Sequence, residues 1–125
     1  MDNYILLADD DDDDINFFKE CFVEVCPNKL LLVAKNGREV LDLLATGILP
    51  YCIVIDLNMP LMNGQECLVE IRQQPVYDSS KVIILSTSNS DHDRKDCLAK
   101  GADEYFVKPG NFADLKSMIQ EACNF

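Results

Sequence analysis

Five short apolar runs recur along the chain, and each is bounded by polar residues or turn formers. Their length of five or six residues and their content of Ile, Val, Leu and aromatic residues predict β-strands. Near-continuous apolar runs are typical of strands that are buried on both faces, as in a parallel sheet. In chain order the predicted strands are YILLA, LLLVA, YCIVID, KVIILS and EYFVK, which begin at residues 4, 30, 51, 81 and 104.

Each predicted strand is followed by a longer segment whose apolar residues recur at helical spacing. After the first strand, Ile15, Phe18 and Phe22 recur at intervals of three and four residues, and Pro27 marks the end of the predicted helix. The other predicted helices are 36–47, 63–74, 90–101 and 111–123. The predicted N-caps are Asn36, Ser90 and Asn111, and the predicted helix ends are Gly47 and Gly101.

Strand and helix therefore alternate five times, with short connections and no linker, repeat or leftover segment. This alternation predicts an α/β fold, a five-stranded parallel sheet with helices on both faces, and right-handed crossovers make the sheet doubly wound. We expect a single domain over residues 1–125 and no second domain. Ligands of such sheets bind at the carboxyl ends of the strands, so functional residues are expected there.

The composition narrows the class of protein. Hydrophobic residues make up 48% of the 125 residues, which is enough for a packed core. The formal net charge of -11 argues against binding to nucleic acid or to an anionic membrane surface. No apolar stretch approaches the roughly 18 residues of a transmembrane helix, and the N-terminus lacks the basic region of a signal peptide. We therefore expect a cytoplasmic protein.

The six cysteines fit an interpretation as core residues. They occur within apolar patterns, and no two of them have the C-x-x-C spacing. We interpret them as reduced, mostly buried small hydrophobic residues rather than as disulfide partners or metal ligands. They are Cys21, Cys26, Cys52, Cys67, Cys97 and Cys123.

Polar residues stand at the carboxyl ends of four of the five predicted strands. They are Asp9, Asp10, Asp56, Ser86, Thr87 and Lys108. In a parallel sheet, three carboxylates, a hydroxyl and an ammonium group from this set converge on one edge. Neighbouring carboxylates repel one another, and a hard divalent cation such as Mg²⁺ prefers oxygen ligands of this kind and recruits phosphate oxygens.

This set of groups is suited to phosphoryl transfer. Lys108 and a metal ion would stabilise the charge of a transferring phosphoryl group, and Ser86 would donate a hydrogen bond to it. A carboxylate can itself be the nucleophile and form an aspartyl phosphate. Asp56 is the candidate because it ends the central strand, between the acidic pair and the side that carries Ser86 and Lys108.

Four motifs in this order resemble the receiver domain of two-component response regulators, of the stand-alone chemotaxis-receiver type. The motifs are LLADDD, IVIDLNMPLMNG, IILST and EYFVKP, and the resemblance covers essentially all 125 residues. The spacings also fit, with 30 residues from Asp56 to Ser86 and 22 from Ser86 to Lys108. The resemblance implies the flavodoxin-like strand order 2-1-3-4-5 and no output domain.

The resemblance also implies a role for each residue of the acidic site. Asp56 accepts a phosphoryl group from a phosphohistidine of a sensor histidine kinase or of a histidine phosphotransfer protein. Asp10, Asp56 and the backbone carbonyl of Asn58 bind Mg²⁺, while Asp9 orients metal-bound water. Lys108 pairs with the phosphoryl oxygens.

A conformational switch is implied in the same way. Ser86 hydrogen-bonds the phosphoryl group and Tyr105 swings inward behind it, which remodels the surface of helix four, strand five and helix five for a downstream protein target. Lys108–Pro109 is implied to be a cis peptide. Thr87 stands where receivers commonly have a smaller residue, so its bulk is expected to restrict Tyr105 or access to Asp56.

The rest of the aspartate run has a simpler interpretation. Asp11 lies in the loop after the first strand, with no assigned role. Asp12 to Asp14 are expected only to lead into the first helix, whose dipole favours acidic residues.

Three other functions use the same type of fold. A phosphohydrolase with an aspartate nucleophile needs an acid two residues later, and Asn58 cannot supply a proton there. A flavodoxin-like cofactor binder would present neutral groups to a phosphate, which Asp9 to Asp14 would repel. A binding module that is never phosphorylated does not need the acceptor residues. We therefore expect a signalling protein rather than an enzyme, monomeric or weakly dimeric, that acts through protein contacts.

Overall fold

The computed structural model describes residues 4–122, and its strands form a five-stranded parallel sheet. The strands are β1 (Tyr4–Ala8), β2 (Leu30–Ala34), β3 (Cys52–Ile55), β4 (Lys81–Ser86) and β5 (Glu104–Val107). They lie in the order β2-β1-β3-β4-β5, and every neighbouring pair is parallel. The predicted doubly wound fold and the implied strand order are confirmed.

Five α-helices connect and follow the strands. They are α1 (Asp12–Val25), α2 (Gly37–Leu44), α3 (Gly64–Arg72), α4 (Asp91–Ala99) and α5 (Phe112–Ala122). The segment before β4, which the pattern predicted as a loop, contains a short 3-10 helix at Pro75–Tyr77. Within residues 4–122, no helix is both long enough and apolar enough to cross a membrane.

Two apolar layers hold the helices against the sheet, because successive side chains of a strand point to opposite faces. On one face, Ile5 and Leu7 belong to a cluster with Phe18 of α1 and Ile119 of α5. On the other face, Leu6 belongs to a cluster with side chains of α2, α3 and α4. The central strands β1, β3 and β4 are buried along almost their whole length, as their continuous apolar runs predict.

Side-chain caps determine where several helices begin. The side chains of Asn36, Ser90 and Asn111 accept hydrogen bonds from backbone N–H groups three residues later, as predicted. Asn63 begins α3 with a reciprocal capping box to Glu66. These caps satisfy N–H groups that have no acceptor within the helix itself.

The five cysteines within residues 4–122 are all buried, and none of them is in a disulfide, which confirms their interpretation as small core residues. Burial raises the pKa of the Cys67 thiol to about 12, so this thiol is protonated and unreactive at neutral pH. Cys123 lies outside the described residues.

One implied backbone feature is wrong. Residues 4–122 contain no cis peptide bond, so Lys108–Pro109 is trans, which is the lower-energy form of an X–Pro peptide. The Lys108 N–H donates to the Ser86 carbonyl at 2.7 Å, so the pairing of β5 with β4 continues to the carboxyl edge of the sheet.

Candidate functional site

The carboxyl ends of β1 and β3 bring three aspartates together. Ala8 pairs with Ile55 in the sheet, so the residues that follow them, Asp9 and Asp56, lie side by side. The Asp56 N–H donates to the Ala8 carbonyl at 2.9 Å, which fixes the start of the loop after β3. One carboxylate oxygen each of Asp9, Asp10 and Asp56 lies within 4.8 Å of the others.

Two of these three aspartates are withdrawn from solvent. Asp9 is 3% exposed and Asp56 is 6% exposed, whereas Asp10 is exposed. The Oδ1 atom of Asp9 accepts the Asp11 N–H at 3.0 Å. The Oδ1 atom of Asp56 accepts the Asn58 N–H at 3.2 Å. These hydrogen bonds within the loops fix the orientation of both buried carboxylates.

Lys108, which follows β5, places its ammonium group among the carboxylates. Nζ donates to Asp9 Oδ2 at 3.0 Å, to Asp14 Oδ2 at 2.8 Å and to Asp56 Oδ2 at 3.2 Å. The Lys108 side chain is only 14% exposed. The structure thus brings together the three predicted carboxylates and the ammonium group, and it adds a fourth carboxylate, that of Asp14.

Burial and these contacts shift pKa values within the site. Burial raises the pKa of the Asp56 carboxyl above its ordinary value, although attraction to Lys108 opposes the rise. Burial alone would lower the pKa of Lys108, but its hydrogen bonds to Asp14 and Asp9 raise that pKa overall. Lys108 is therefore a permanent positive charge at neutral pH.

The donor set fits a hard divalent cation. Asp9, Asp10 and Asp56 supply three carboxylates, and Lys108 balances one negative charge among them. The converging donors are oxygen atoms, which Mg²⁺ and Mn²⁺ prefer to nitrogen and sulfur. The role of the Asn58 carbonyl as a ligand stays a prediction.

Ser86 and Tyr105 both contact Ser88, a residue that the sequence pattern did not single out. Ser86 is fully buried at the end of β4, and its Oγ accepts the Ser88 N–H at 3.1 Å. Tyr105 is 4% exposed, and its hydroxyl donates to the Ser88 carbonyl at 2.9 Å. The Ser88 Oγ donates to Asp93 in the first turn of α4 at 2.6 Å, so hydrogen bonds join the site to this helix.

Thr87 is exposed, and its bulk does not keep Tyr105 out of the interior.

The aspartates after the acidic pair begin α1. Asp11 is the N-cap, because its side chain accepts the Asp14 N–H at 3.0 Å, a role that the sequence pattern did not indicate. Asp12 and Asp13 are exposed in the first turn, where the helix dipole favours acidic residues, as predicted. Asp12 also pairs with Lys35 at the surface, at 2.6 Å.

The prediction for Asp14 is wrong, because this residue is more than a helix-entry charge. Its carboxylate contacts the Lys108 ammonium group and is therefore part of the site. Asp14 precedes the buried Phe18 by four residues, which places both on the inward face of α1. That spacing indicates the helix face of Asp14, but it does not indicate its partner Lys108.

Gly64 allows α3 to begin directly against the loop that carries Asp56. A Cβ atom at position 64 would overlap the Asp56 carbonyl and would lie 2.7 Å from the Leu57 Cα. The Gly64 N–H also donates to the Leu57 carbonyl at 3.0 Å. This close approach requires a residue without a side chain.

Comparison with known proteins agrees with the fold and identifies the family. Residues 5–120 match the family of response regulator receiver domains, so the chain belongs to this family and to two-component signalling. It is 31% identical to an uncharacterized 14.6 kDa protein of Leptolyngbya boryana, over 95% of this chain and 88% of that protein. It is 36% identical to the transcriptional regulatory protein CpxR of Escherichia coli, over 94% of this chain but only 48% of CpxR. The chain thus spans about half the length of this longer relative.

Solved structures of response regulators have the same fold. The phosphorylated cyanobacterial phytochrome response regulator RcpA superimposes with a TM-score of 0.89 at 25% identity, over 99% of this chain and 96% of that chain. The Mn²⁺-bound form of response regulator Rcp1 superimposes with a TM-score of 0.85 at 27% identity, over 98% and 93% of the two chains. Similar proteins thus include a phosphorylated one and one that binds a divalent metal.

Proposed function

We propose that this receiver domain takes a phosphoryl group onto Asp56 from a phosphohistidine of a sensor histidine kinase or a histidine phosphotransfer protein. The proposal rests on one observation, the contact of the Asp56 carboxylate with Lys108 at 3.2 Å within a cluster of three aspartates. A buried carboxylate beside a fixed positive charge is suited both to attack phosphorus and to retain the product.

The transfer forms one bond and breaks one bond. An Asp56 carboxylate oxygen attacks the phosphorus, and the P–N bond to the donor histidine breaks as the O–P bond forms. The electron pair of the broken bond stays on the imidazole nitrogen, which a solvent proton neutralises. Lys108 faces the phosphoryl oxygens and stabilises the negative charge on them.

Mg²⁺ is the proposed cofactor. Asp10, Asp56 and the backbone carbonyl of Asn58 would bind it directly, and Asp9 would bind it through water. A bound divalent cation offsets the repulsion between the carboxylates and the incoming phosphoryl group. The Mn²⁺-bound structure of the similar regulator Rcp1 supports a divalent cation as cofactor.

Phosphorylation is proposed to change the surface formed by α4, β5 and α5. Ser86 Oγ accepts the Ser88 N–H, so its hydroxyl group can still donate a hydrogen bond to a phosphoryl oxygen. Ser88 in turn contacts Tyr105 and the first turn of α4, so a movement of Ser86 reaches this surface through hydrogen bonds. Leu98 of α4 and Val107 of β5, which are 42% and 39% exposed, offer apolar contacts to a downstream protein target.

We infer that the chain is a signalling protein and not a metabolic enzyme. Its own phosphorylation and the slow hydrolysis of the acyl phosphate are the proposed chemical steps. Asn58 occupies the position where a phosphohydrolase with an aspartate nucleophile needs an acid, and its amide does not supply a proton to a leaving group.

Incubation with Mg²⁺ and acetyl phosphate, followed by intact-mass spectrometry, tests the proposed function. The wild type is expected to gain a single phosphoryl group, and Asp56→Asn is expected to gain none. Chelation of divalent cations with EDTA is expected to suppress the reaction. A wild type that gains no phosphoryl group, or an adduct that persists in Asp56→Asn, contradicts the proposal.

A further inference from the structure

The Lys108 ammonium group donates hydrogen bonds to three different carboxylates. An ammonium group has three such donors, and the acceptors are Asp14 at 2.8 Å, Asp9 at 3.0 Å and Asp56 at 3.2 Å. The contact with the proposed phosphoacceptor, Asp56, is therefore the longest of the three. The oxygens of a phosphoryl group on Asp56 also need donors from Lys108, so the contacts of Lys108 with Asp14 and Asp9 compete with them.

The contact with Asp14 is the easiest of the three to exchange. The side chain of Asp9 is 4% exposed, so the loss of Lys108 there would leave a buried negative charge without its ion pair. The contact with Asp56 lies on the residue that takes up the phosphoryl group, so its donor stays at that position. The Asp14 side chain is 44% exposed, so water can replace Lys108 there at little cost.

The start of α1 holds Asp14 in place. The Asp14 N–H donates to the Asp11 side chain at 3.0 Å, within the cap that begins the helix. Phe18, one turn later on the same face, is 2% exposed and anchors this face in the core. The backbone that carries the Asp14 carboxylate is therefore fixed independently of Lys108.

We propose that Asp14 is a positioning residue that draws Lys108 toward α1 and thereby slows the phosphorylation of Asp56. This inference rests on the proposed function of Asp56. Asp14 retains one of the Lys108 donors that the phosphoryl group would use, and its negative charge repels the incoming group. The unphosphorylated state is favoured as a result, because in it no phosphoryl oxygen competes with Asp14 for Lys108.

Initial rates of phosphorylation by acetyl phosphate with Mg²⁺ test the role of Asp14, with Asp13→Asn as the matched control. Asp14→Asn and Asp13→Asn each remove one negative charge from the first turn of α1, but Asp13 is exposed and Asp14 contacts Lys108. We expect Asp14→Asn to be phosphorylated about three- to tenfold faster than the wild type, and Asp13→Asn to differ from it by less than about twofold. Asp14→Glu keeps the carboxylate, so its rate is expected to lie between those of the wild type and Asp14→Asn.

The free energy of unfolding of each variant is measured beside the rate. A merely structural role of Asp14 would change the unfolding free energy and leave the phosphorylation rate unchanged. If the wild type is phosphorylated and Asp14→Asn is no faster than Asp13→Asn, the role of Asp14 is wrong while the function of Asp56 stands. If the wild type takes up no phosphoryl group, the proposed function fails and the role of Asp14 fails with it.

Discussion

In the site, the positive charge of Lys108 balances the negative charges of aspartates that are distant from it in the sequence. Asp9 and Asp56 are almost fully buried, and burial strengthens their interactions with each other and with Lys108. Repulsion between the two carboxylates and attraction to the ammonium group are therefore both large. A change of one charged side chain in this cluster affects metal affinity and stability together.

Asp10→Asn is expected to abolish Mg²⁺ binding, because it removes one of the three carboxylates that converge in the site. Isothermal titration calorimetry measures the affinity. Asp13→Asn removes the same charge from the nearby helix start, where the side chain is exposed, and is expected to leave the affinity nearly unchanged. Equal losses in both variants would contradict the division of the aspartate run into a metal site and a helix start.

Lys108→Met is expected to lower the free energy of unfolding by about 1–3 kcal/mol, because Asp9 and Asp56 lose the charge that balances them. Urea unfolding in the presence of EDTA measures this loss. Lys116→Met is the control, since the side chains of Lys116 and Glu24 are 37% and 56% exposed and their pair contributes less than about 1 kcal/mol. Equal stabilities of the two variants would show that the Lys108 contacts stabilise the folded state no more than a surface ion pair does.

At the scale of elements, backbone geometry determines where the phosphoacceptor lies. The loop between β3 and α3 is held at both ends, by the Asp56 N–H on the Ala8 carbonyl and by the Gly64 N–H on the Leu57 carbonyl. Leu61, within this loop, has a φ of 65°, in the left-handed region that residues other than glycine rarely occupy. The backbone of this loop is therefore held at both ends and bends sharply at Leu61.

Gly64→Ala is expected to lower the free energy of unfolding by about 2 kcal/mol or more, because the added methyl group overlaps the Asp56 carbonyl. Gly110→Ala is the matched control, since a Cβ at position 110 meets no atom within 4 Å. Its effect is expected to stay within about 0.5 kcal/mol. Thermal and urea unfolding of both variants measure the difference, and a Gly64→Ala protein as stable as Gly110→Ala would refute the close fit of α3.

The periodicity of apolar residues was sufficient to predict the strands, and the rule for the ends of parallel strands then identified Asp9, Asp56 and Lys108. Asp14 and Ser88 were missed for a physical reason. Whether an aspartate in a first helical turn faces water or a lysine depends on where the start of α1 lies relative to the residue after β5, and Asp14 and Lys108 are 94 positions apart. The local sequence pattern does not encode such a contact. It also does not indicate that Ser88 makes hydrogen bonds through its N–H, its hydroxyl and its carbonyl group.

At the scale of the whole molecule, the net charge of -11 on 125 residues makes self-repulsion a general cost of the compact state. Salt that does not bind the site screens this repulsion over roughly 10 Å at about 0.1 M. The same excess of acidic groups adds to the repulsion among the carboxylates of the site.

Raising KCl from about 20 mM to about 200 mM in the presence of EDTA is expected to raise the midpoint of thermal unfolding by about 2–5 °C. The reason is the weaker repulsion among acidic groups in the folded state. Differential scanning calorimetry measures the midpoint. A double variant, Asp13→Asn with Asp91→Asn, carries less negative charge at exposed positions and is expected to respond less to salt. A midpoint that falls with KCl would contradict the expectation.

The ion pair of Lys108 with Asp9 joins residues that are 99 positions apart. A ribosome makes the chain from its N-terminus, so the aspartates after β1 and β3 emerge long before the ammonium group that balances them. Until β5 has been made and has joined the edge of the sheet, the nascent chain carries these acids without their counter-charge. The signalling site therefore cannot be completed before the synthesis of the last strand.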